Sequence, residues 1–407
     1  MSLNSTPQSV RVHIGLFGKR NAGKSSIINA ISNQDVAIVS EVAGTTTDPV
    51  FRPMEILPIG PCVLIDTAGL DDVGSLGELR VNKSLDILSK TDIGLVIVDS
   101  NIGVTDEDLE IIDLLQNKKI PHILVLNKID EVSNKNEVVK LAKSKTKCPI
   151  TCVSSVTREG IDKLKELIIN NIDYESSNLQ LVSDLIKEDD FVVLVIPIDK
   201  AAPKGRLILP QQQVVRDVLD TGAMAIMTKE TTLKETLDAL KQKPALVVTD
   251  SQAFEQVSKD TPDDIPLTSF SILFARQKGD LQELINGAKS IENLKDGDRI
   301  LVAEGCTHHR QSDDIGTYKI PMWLKKYTGK DLIFEYSSGV TFTNDITKYS
   351  LIIHCGACMM NRAAMLSRIA KAKEYNIPIV NYGVLIAYLN GILDRTLEPI
   401  NQLSPNL

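Results

Sequence analysis

An apolar strand that runs into a glycine loop and at once into a helix leaves a chain few folds to choose from. Val10-Arg-Val-His-Ile-Gly-Leu-Phe17 reads as a short buried strand, Gly18-Lys-Arg-Asn21-Ala22-Gly23-Lys24-Ser25 as the loop, and Ser26-Ile-Ile-Asn-Ala-Ile31 as the helix. The loop has the spacing G-x-x-x-x-G-K-S in the setting a phosphate-binding loop requires. Its glycines let backbone N–H groups wrap phosphates, and the helix N-terminus adds partial positive charge. Lys24 is then placed to reach the outer phosphates and Ser25 to hold Mg²⁺. A plain glycine turn is the alternative, and the order of the downstream motifs argues against it.

Cys62-Val-Leu-Ile-Asp66-Thr-Ala-Gly69 is a strand ending in D-x-x-G, with Asp66 placed to hold the Mg²⁺ shell. Ile123-Leu-Val-Leu-Asn127-Lys128-Ile-Asp130 ends a later strand in N-K-x-D, and an Asp there can accept both guanine N1–H and N2–H, which adenine does not offer. Thr151-Cys-Val-Ser154-Ser155-Val156 supplies a last loop on the base side. Together these motifs resemble the Ras-like GTPases, and most closely the TrmE and Era branch.

That resemblance implies a GTP and Mg²⁺ site lined by Gly18, Asn21, Ala22, Gly23, Lys24, Ser25, Ser26, Thr46, Asp66, Gly69, Asn127, Lys128, Asp130, Ser154 and Ser155. Gly44-Thr45-Thr46-Thr47-Asp48 is similar to the branch's switch I, with Thr46 in the Mg²⁺ position. The residue after Gly69 is Leu70, where Ras has a water-orienting Gln, so hydrolysis must draw on something else. Asn21 sits where TrmE-like proteins bind K⁺ beside the phosphates, a charge that can stand in for an arginine finger. Such fingers contribute about 10³ to 10⁵ in rate. Lys24, Thr46, Asp66 and Asn21 are thus the expected catalytic set. Ser155-Val156 departs from the usual Ala-Lys, and Leu70 to Glu78 reads as switch II.

Net charge is −8 and the pI near 5.3, which argues against a chain built mainly to hold nucleic acid. No apolar run is long enough to span a membrane, and the N-terminus lacks a signal peptide's basic and apolar regions, so a cytoplasmic protein without membrane partners is expected. Thiols stay reduced there, and clustered cysteines read as metal-binding or redox groups.

The expected fold class is α/β with three domains: a Ras-like P-loop domain at 9–174, then two smaller parallel-sheet domains at 180–266 and 267–400. The polar Asp173–Asn178 and Pro262–Pro266 mark the joints. In the middle stretch, strands Phe191–Ile196, Ala223–Met227 and Ala245–Thr249 alternate with helices, which predicts βαβ units. It holds no metal spacing or catalytic constellation, and Lys200–Arg206 reads as a solvated basic loop. A small core and open edges suit it to pairing with a second copy, giving a homodimer.

The last stretch carries a second concentration of chemistry. Tyr349-Ser-Leu-Ile-Ile-His354-Cys355-Gly-Ala-Cys358-Met-Met-Asn361 is an apolar strand ending in H-C-x-x-C, with Asn361 as the N-cap of the following helix. Arg299-Ile-Leu-Val-Ala-Glu304-Gly-Cys306-Thr-His308-His309 repeats the arrangement. Six Cys and five His occur in all, and three of each fall in these two loops. If the two strands are parallel neighbours, both loops meet at the carboxyl edge of one sheet, where open α/β sheets place ligands. Three thiolates can hold zinc with a His, or an iron–sulfur cluster with one iron incompletely ligated by Cys. The fourth ligand stays open among His308, His309, His354, Glu304 and solvent. Cys62, Cys148, Cys152, His13 and His122 lie on or beside core strands and read as packing.

A TrmE-like GTPase followed by Cys306-x-His308 and His354-Cys355-x-x-Cys358 resembles the HydF family of FeFe-hydrogenase maturation GTPases, over essentially the whole chain. That resemblance implies a 4Fe–4S cluster on Cys306, Cys355 and Cys358, with His308 and His354 as the family's histidines. It also implies a scaffold and carrier for the diiron subcluster, with radical-SAM maturases and apo FeFe-hydrogenase as partners. C-x-x-x-C-x-x-C is absent, so the chain is not itself a radical-SAM enzyme. The competing expectation is an RNA-modification or ribosome-assembly GTPase with a structural zinc. Every nucleotide motif lies before residue 157 and every cluster ligand after 300, which argues against direct contact between the two sites.

Overall fold

The computed structural model describes residues 7–32, 50–67, 87–172, 180–198, 207–305, 314–339 and 345–402. The chain forms two compact units, Met1–Ser177 and Asn178–Leu407.

The first unit is built on a six-stranded sheet of β1 (Val12–Phe17), β2 (Val50–Ile56), β3 (Gly60–Asp66), β4 (Ile93–Asp99), β5 (His122–Asn127) and β6 (Ile150–Cys152), in the order β2-β3-β1-β4-β5-β6. All pairs are parallel except β2 with β3. Parallel strands covered on both faces read as unbroken apolar runs rather than alternating ones. Ile-Gly-Leu-Val-Ile-Val in β4 shows this: Leu95 and Ile97 enter one core, Val96 and Val98 the other. Helices Lys24–Ser32 and Ile161–Asn171 cover the first face, and Asp106–Asn117 and Lys135–Lys145 the second. The register sets Leu16 beside Asp66 and Asp99 beside Asn127, so the polar strand ends converge at one edge.

The second unit holds two parallel four-stranded sheets. β7 (Phe191–Val195), β8 (Met224–Thr228), β9 (Leu246–Thr249) and β10 (Leu267–Ser269) lie in the order β10-β9-β7-β8. β11 (Arg299–Glu304), β12 (Ile333–Ser338), β13 (Leu351–His354) and β14 (Ile379–Asn381) lie in the order β12-β11-β13-β14. The first of these sheets extends beyond Pro262–Pro266, because Leu267–Ser269 is its fourth strand. Helix Phe270–Lys278 joins the two sheets: Phe270, Leu273 and Phe274 pack with the first, Ile272 and Ala275 with the second. A helix apolar on every side has to be buried on every side. The fold is thus mixed α/β, a P-loop GTPase fold followed by two parallel-sheet regions. No helix among the described residues is long and apolar enough to cross a membrane.

Candidate functional site

The nucleotide motifs meet at the carboxyl edge of the first unit's sheet. Gly18 and Gly23 adopt φ of +133° and +94°, and a Cβ on either would collide, with the Ile97 carbonyl or the Asn127 side-chain amide. Glycine is therefore required twice for the loop to pass this close to its neighbours. Asn21 adds a third left-handed residue at φ +63° and is exposed. Lys24 is buried at the head of its helix, and its ammonium donates to the carbonyls of Gly18 (2.7 Å) and Lys19 (2.8 Å). Ser25 Oγ donates to Asp66 Oδ2 at 2.6 Å, so the hydroxyl and carboxylate assigned to Mg²⁺ sit together. Ser26 is exposed beside them.

Asn127 is fully buried and joins two loops: its side-chain N–H donates to the Ala22 carbonyl (2.9 Å), and Ser155 N–H donates to its Oδ1 (3.3 Å). Lys128, at φ +61°, pairs with Asp99 at 2.6 Å. Burial pushes the Asp99 carboxyl up, but hydrogen bonds from Lys128 and Asn101 outweigh it and hold the group below its usual range. Asp130 is exposed in the turn Ile129–Glu131, open to a base. Ser154 is buried and its Oγ accepts from Thr157 N–H. The residues present suit a magnesium-bound nucleoside triphosphate: a glycine cradle, a lysine, and an adjoining hydroxyl and carboxylate. Thr46, Gly69, Leu70 and both switch segments lie outside the described residues.

In the second unit, β11 and β13 are parallel neighbours with Ala303 opposite His354, so Glu304–Gly305 and Cys355 leave the sheet side by side. Cys355 N–H continues the ladder to the Ala303 carbonyl (2.9 Å), and Gly305 N–H donates to Cys355 Sγ (3.1 Å). Ala357 takes φ +52°, and Met360 N–H closes the turn onto its carbonyl (3.0 Å). Asn361 caps helix Arg362–Glu374 by accepting from Ala364 N–H. Cys355 and Cys358 therefore sit in a tight turn at a helix N-terminus, which favours thiolate. Burial, with Glu304 and Cys355 adding negative charge, drives the Tyr382 phenol far above its ordinary range.

His354 differs from an open ligand. It is fully buried, Nε2 lies 2.5 Å from Arg368 Nη1, and Nδ1 lies 2.8 Å from the Cys355 carbonyl. Both ring nitrogens are thus committed, and as placed the imidazole holds the cysteine loop rather than offering a lone pair. Cys306, His308 and His309 lie outside the described residues, as does Lys200–Arg206. Among the described residues no three Cys, His, Asp or Glu side chains gather as a metal site. The donor set still suits a thiophilic centre, with two cysteines in one turn and backbone N–H directed at sulfur.

The other cysteines are packing. Cys62 is fully buried, and burial pushes its thiol up to about 11; burial raises Cys152 as well. His13 and His122 each turn Nδ1 to a nearby backbone carbonyl, of Arg11 and Ile120. Sequence reasoning missed Lys278, Arg368, Asp99 and Tyr382. Lys278 and Arg368 had one readable signal, a cation at a position where the helix pattern demands burial.

Fold and loop geometry place the first unit among the P-loop GTPases, and its residues 13–128 match the family model described as "50S ribosome-binding GTPase". Residues 181–279 match "Hydrogen maturase F dimerization domain" and residues 282–399 "Hydrogen maturase F tetramerization domain", together more than half of the chain. The chain belongs to the hydrogen maturase F family. Among curated proteins it is similar to the tRNA modification GTPase MnmE of Desulforamulus reducens, 37% identical over 158 residues, 39% of this chain and 34% of that one. It is also similar to GTPase Der of a Sulfurihydrogenibium species, 35% identical over 169 residues, 39% of this chain and 38% of that one. The chain thus spans about a third of the length of these curated relatives. A solved structure of Era from Aquifex aeolicus bound to GDP.AlF4- covers 60% of this chain and 97% of its own, at 18% identity and a TM-score of 0.36.

Proposed function

We propose that the protein is a GTP-hydrolysing scaffold and carrier that assembles and delivers the diiron subcluster precursor to FeFe-hydrogenase. The observation that carries this reading is the pairing in one chain of two built sites. One is a glycine cradle with Ser25 and Asp66 in contact; the other is a Cys355-x-x-Cys358 turn at the carboxyl edge of the last sheet. Membership of the hydrogen maturase F family supports it.

In this reading Lys24 neutralises the outer phosphates, and Ser25, Asp66 and Thr46 hold Mg²⁺. The N–H groups between Gly18 and Ser26 wrap the phosphates, and Gly69 belongs to the same nucleotide site. Asp130 reads guanine, while Asn127, Lys128, Ser154 and Ser155 shape the base pocket. Asn21 binds K⁺, whose charge stands in for an arginine finger, while the apolar Leu70 does not orient water. Cys306, Cys355 and Cys358 hold a 4Fe–4S cluster, whose incompletely ligated iron suits an exchangeable cargo. His308 stays a candidate for the fourth position with His309, Glu304 and solvent; His354 braces the loop. The protein works in the reducing cytoplasm as a homodimer joined through the middle region, and meets the radical-SAM maturases and apo hydrogenase as separate proteins.

Anaerobic reconstitution tests this. The protein should turn brown and take up iron and sulfide, and Cys306→Ala, Cys355→Ala and Cys358→Ala should each abolish this. Cys62→Ala, Cys148→Ala and Cys152→Ala should not, since Cys62 lies in the first unit's core and the other two pack against it. A colourless protein holding zinc, or full iron with an unaltered reduced EPR signal in Cys355→Ala, would overturn the assignment.

A further inference from the structure

Lys278 ends helix Phe270–Lys278 with its side chain turned inward, 4% exposed. Its ammonium is directed at one loop: Nζ lies 2.9 Å from the Met360 carbonyl, 3.2 Å from that of Cys358 and 3.4 Å from that of Ala357. The Phe274 ring, one turn back, lies 5.4 Å from the same nitrogen, within cation–π range. Arg362, first residue of the helix after the cysteines, donates to the carbonyls of Gln277 and Gly279 on either side of Lys278. The helix end and the cysteine turn are therefore tied from both directions.

Three carbonyls converging on one point concentrate negative potential, which an apolar side chain would leave unanswered. Ala357, one of the three acceptors, takes the left-handed φ of +52°. A buried ammonium is costly unless an anion is near. Among the described residues the partners of Lys278 are these three carbonyls and the Phe274 ring, with no carboxylate among them. The helix thus ends in a buried lysine bonded to the backbone of the turn that carries Cys358.

We infer that Lys278 is the positioning residue of the Cys355–Cys358 turn: it fixes the turn's backbone and places a positive charge suited to an anionic, thiolate-bound centre. The inference rests on the reading of Cys355 and Cys358 as ligands, and its test separates the two.

The experiment uses full-length wild type, Lys278→Met, Lys278→Gln and Lys278→Arg. Hydrogen exchange of the apo proteins should show the peptide 351–361 opening about tenfold or more faster in Lys278→Met, with Gln intermediate and Arg near wild type. After anaerobic loading, the Met and Gln variants should both show a lowered reduction potential, since removing a nearby cation disfavours an added electron, and Arg should restore it. A purely structural lysine would leave the potential of the Gln variant unmoved. Wild-type exchange in Lys278→Met, or unshifted potentials in both neutral variants, overturns the inference. Wild type that takes up no iron defeats the ligand reading instead, and loop exchange alone then decides the role of Lys278. Should Lys278→Met not fold, Lys278→Gln carries both readouts.

Discussion

Arg368 Nη1 lies 2.5 Å from His354 Nε2, both side chains buried, so the imidazole must accept at Nε2 and donate from Nδ1. A guanidinium has no acceptor, which fixes the tautomer without a hydrogen being located. The Nδ1–H then meets the Cys355 carbonyl, and Arg368 Nη2 also donates to the Gly339 carbonyl at 3.0 Å. Arg368→Met should leave acceptors on two segments without their donor and lower stability by about 2–4 kcal/mol. Urea unfolding followed by Trp323, the chain's one tryptophan and a neighbour of the second unit's core, measures it. His354→Ala should cost clearly less in the Arg368→Met background than alone, and additive losses would show the pair uncoupled.

Gly23 and Asn127 set a steric test of the nucleotide loop. An alanine at 23 would be strained at φ +94° and would displace the Asn127 amide that ties Ala22 to Ser155. Gly23→Ala should cost about 1–3 kcal/mol in the first unit and abolish nucleotide binding. Asn127→Ala should weaken binding without the backbone strain. Calorimetric titration with GDP compares the two, and near wild-type affinity in Gly23→Ala would contradict the geometry.

Hydrolysis should be slow, specific for GTP, and faster in K⁺ than in Na⁺. Asn21 is exposed in the loop, and Leu70 lacks a group to orient water. Phosphate release in matched K⁺ and Na⁺ buffers reads this directly. Equal turnover removes the role of Asn21, while Asp130→Asn should weaken guanine binding whichever cation is present.

Much of this was legible in the sequence because the chemistry sits at strand ends. Once the strands are parallel, a motif after each strand lands on the same edge, and Asp66, Asn127 and Cys355 all follow that rule. Other features were not legible. Leu267–Ser269 is three residues long, too short for periodicity to separate it from a linker after Pro262–Pro266. Lys278 and Arg368 fall on the buried faces of their helices, but spacing does not name the carbonyls and the imidazole that they bond. The two nitrogens of His354 could not be assigned from spacing, because their partners lie on a helix and on its own next residue.

β8 is the outer strand of its sheet, and Met224 and Met227 stand 40% and 54% exposed on it. An outer strand with apolar side chains is a template for a second copy. Met227→Lys in the full-length chain should shift sedimentation velocity toward the monomer while leaving GTP turnover unchanged. An unaltered profile in Met224→Lys and Met227→Lys together would move the dimer interface elsewhere.

Nucleotide state should govern timing with partners and not the cysteine centre itself. The phosphate loop belongs to the unit Met1–Ser177, and the Cys355–Cys358 turn to the unit Asn178–Leu407, each with its own hydrophobic core. Lys24 and Ser25 make their bonds within the first unit, to Gly18, Lys19 and Asp66. None of these bonds is among those described for the turn. Segments ordered by a γ-phosphate and released on hydrolysis serve as surfaces for other proteins, so the nucleotide's effect should pass through a partner or the dimer. Lys24→Ala and Ser25→Ala should carry wild-type iron and sulfide yet fail, or nearly fail, to support hydrogenase activation in a reconstituted system. Loss of the cluster in those variants would show that the two sites are coupled within the chain. Full activation by either would show that GTP hydrolysis is not the timing step.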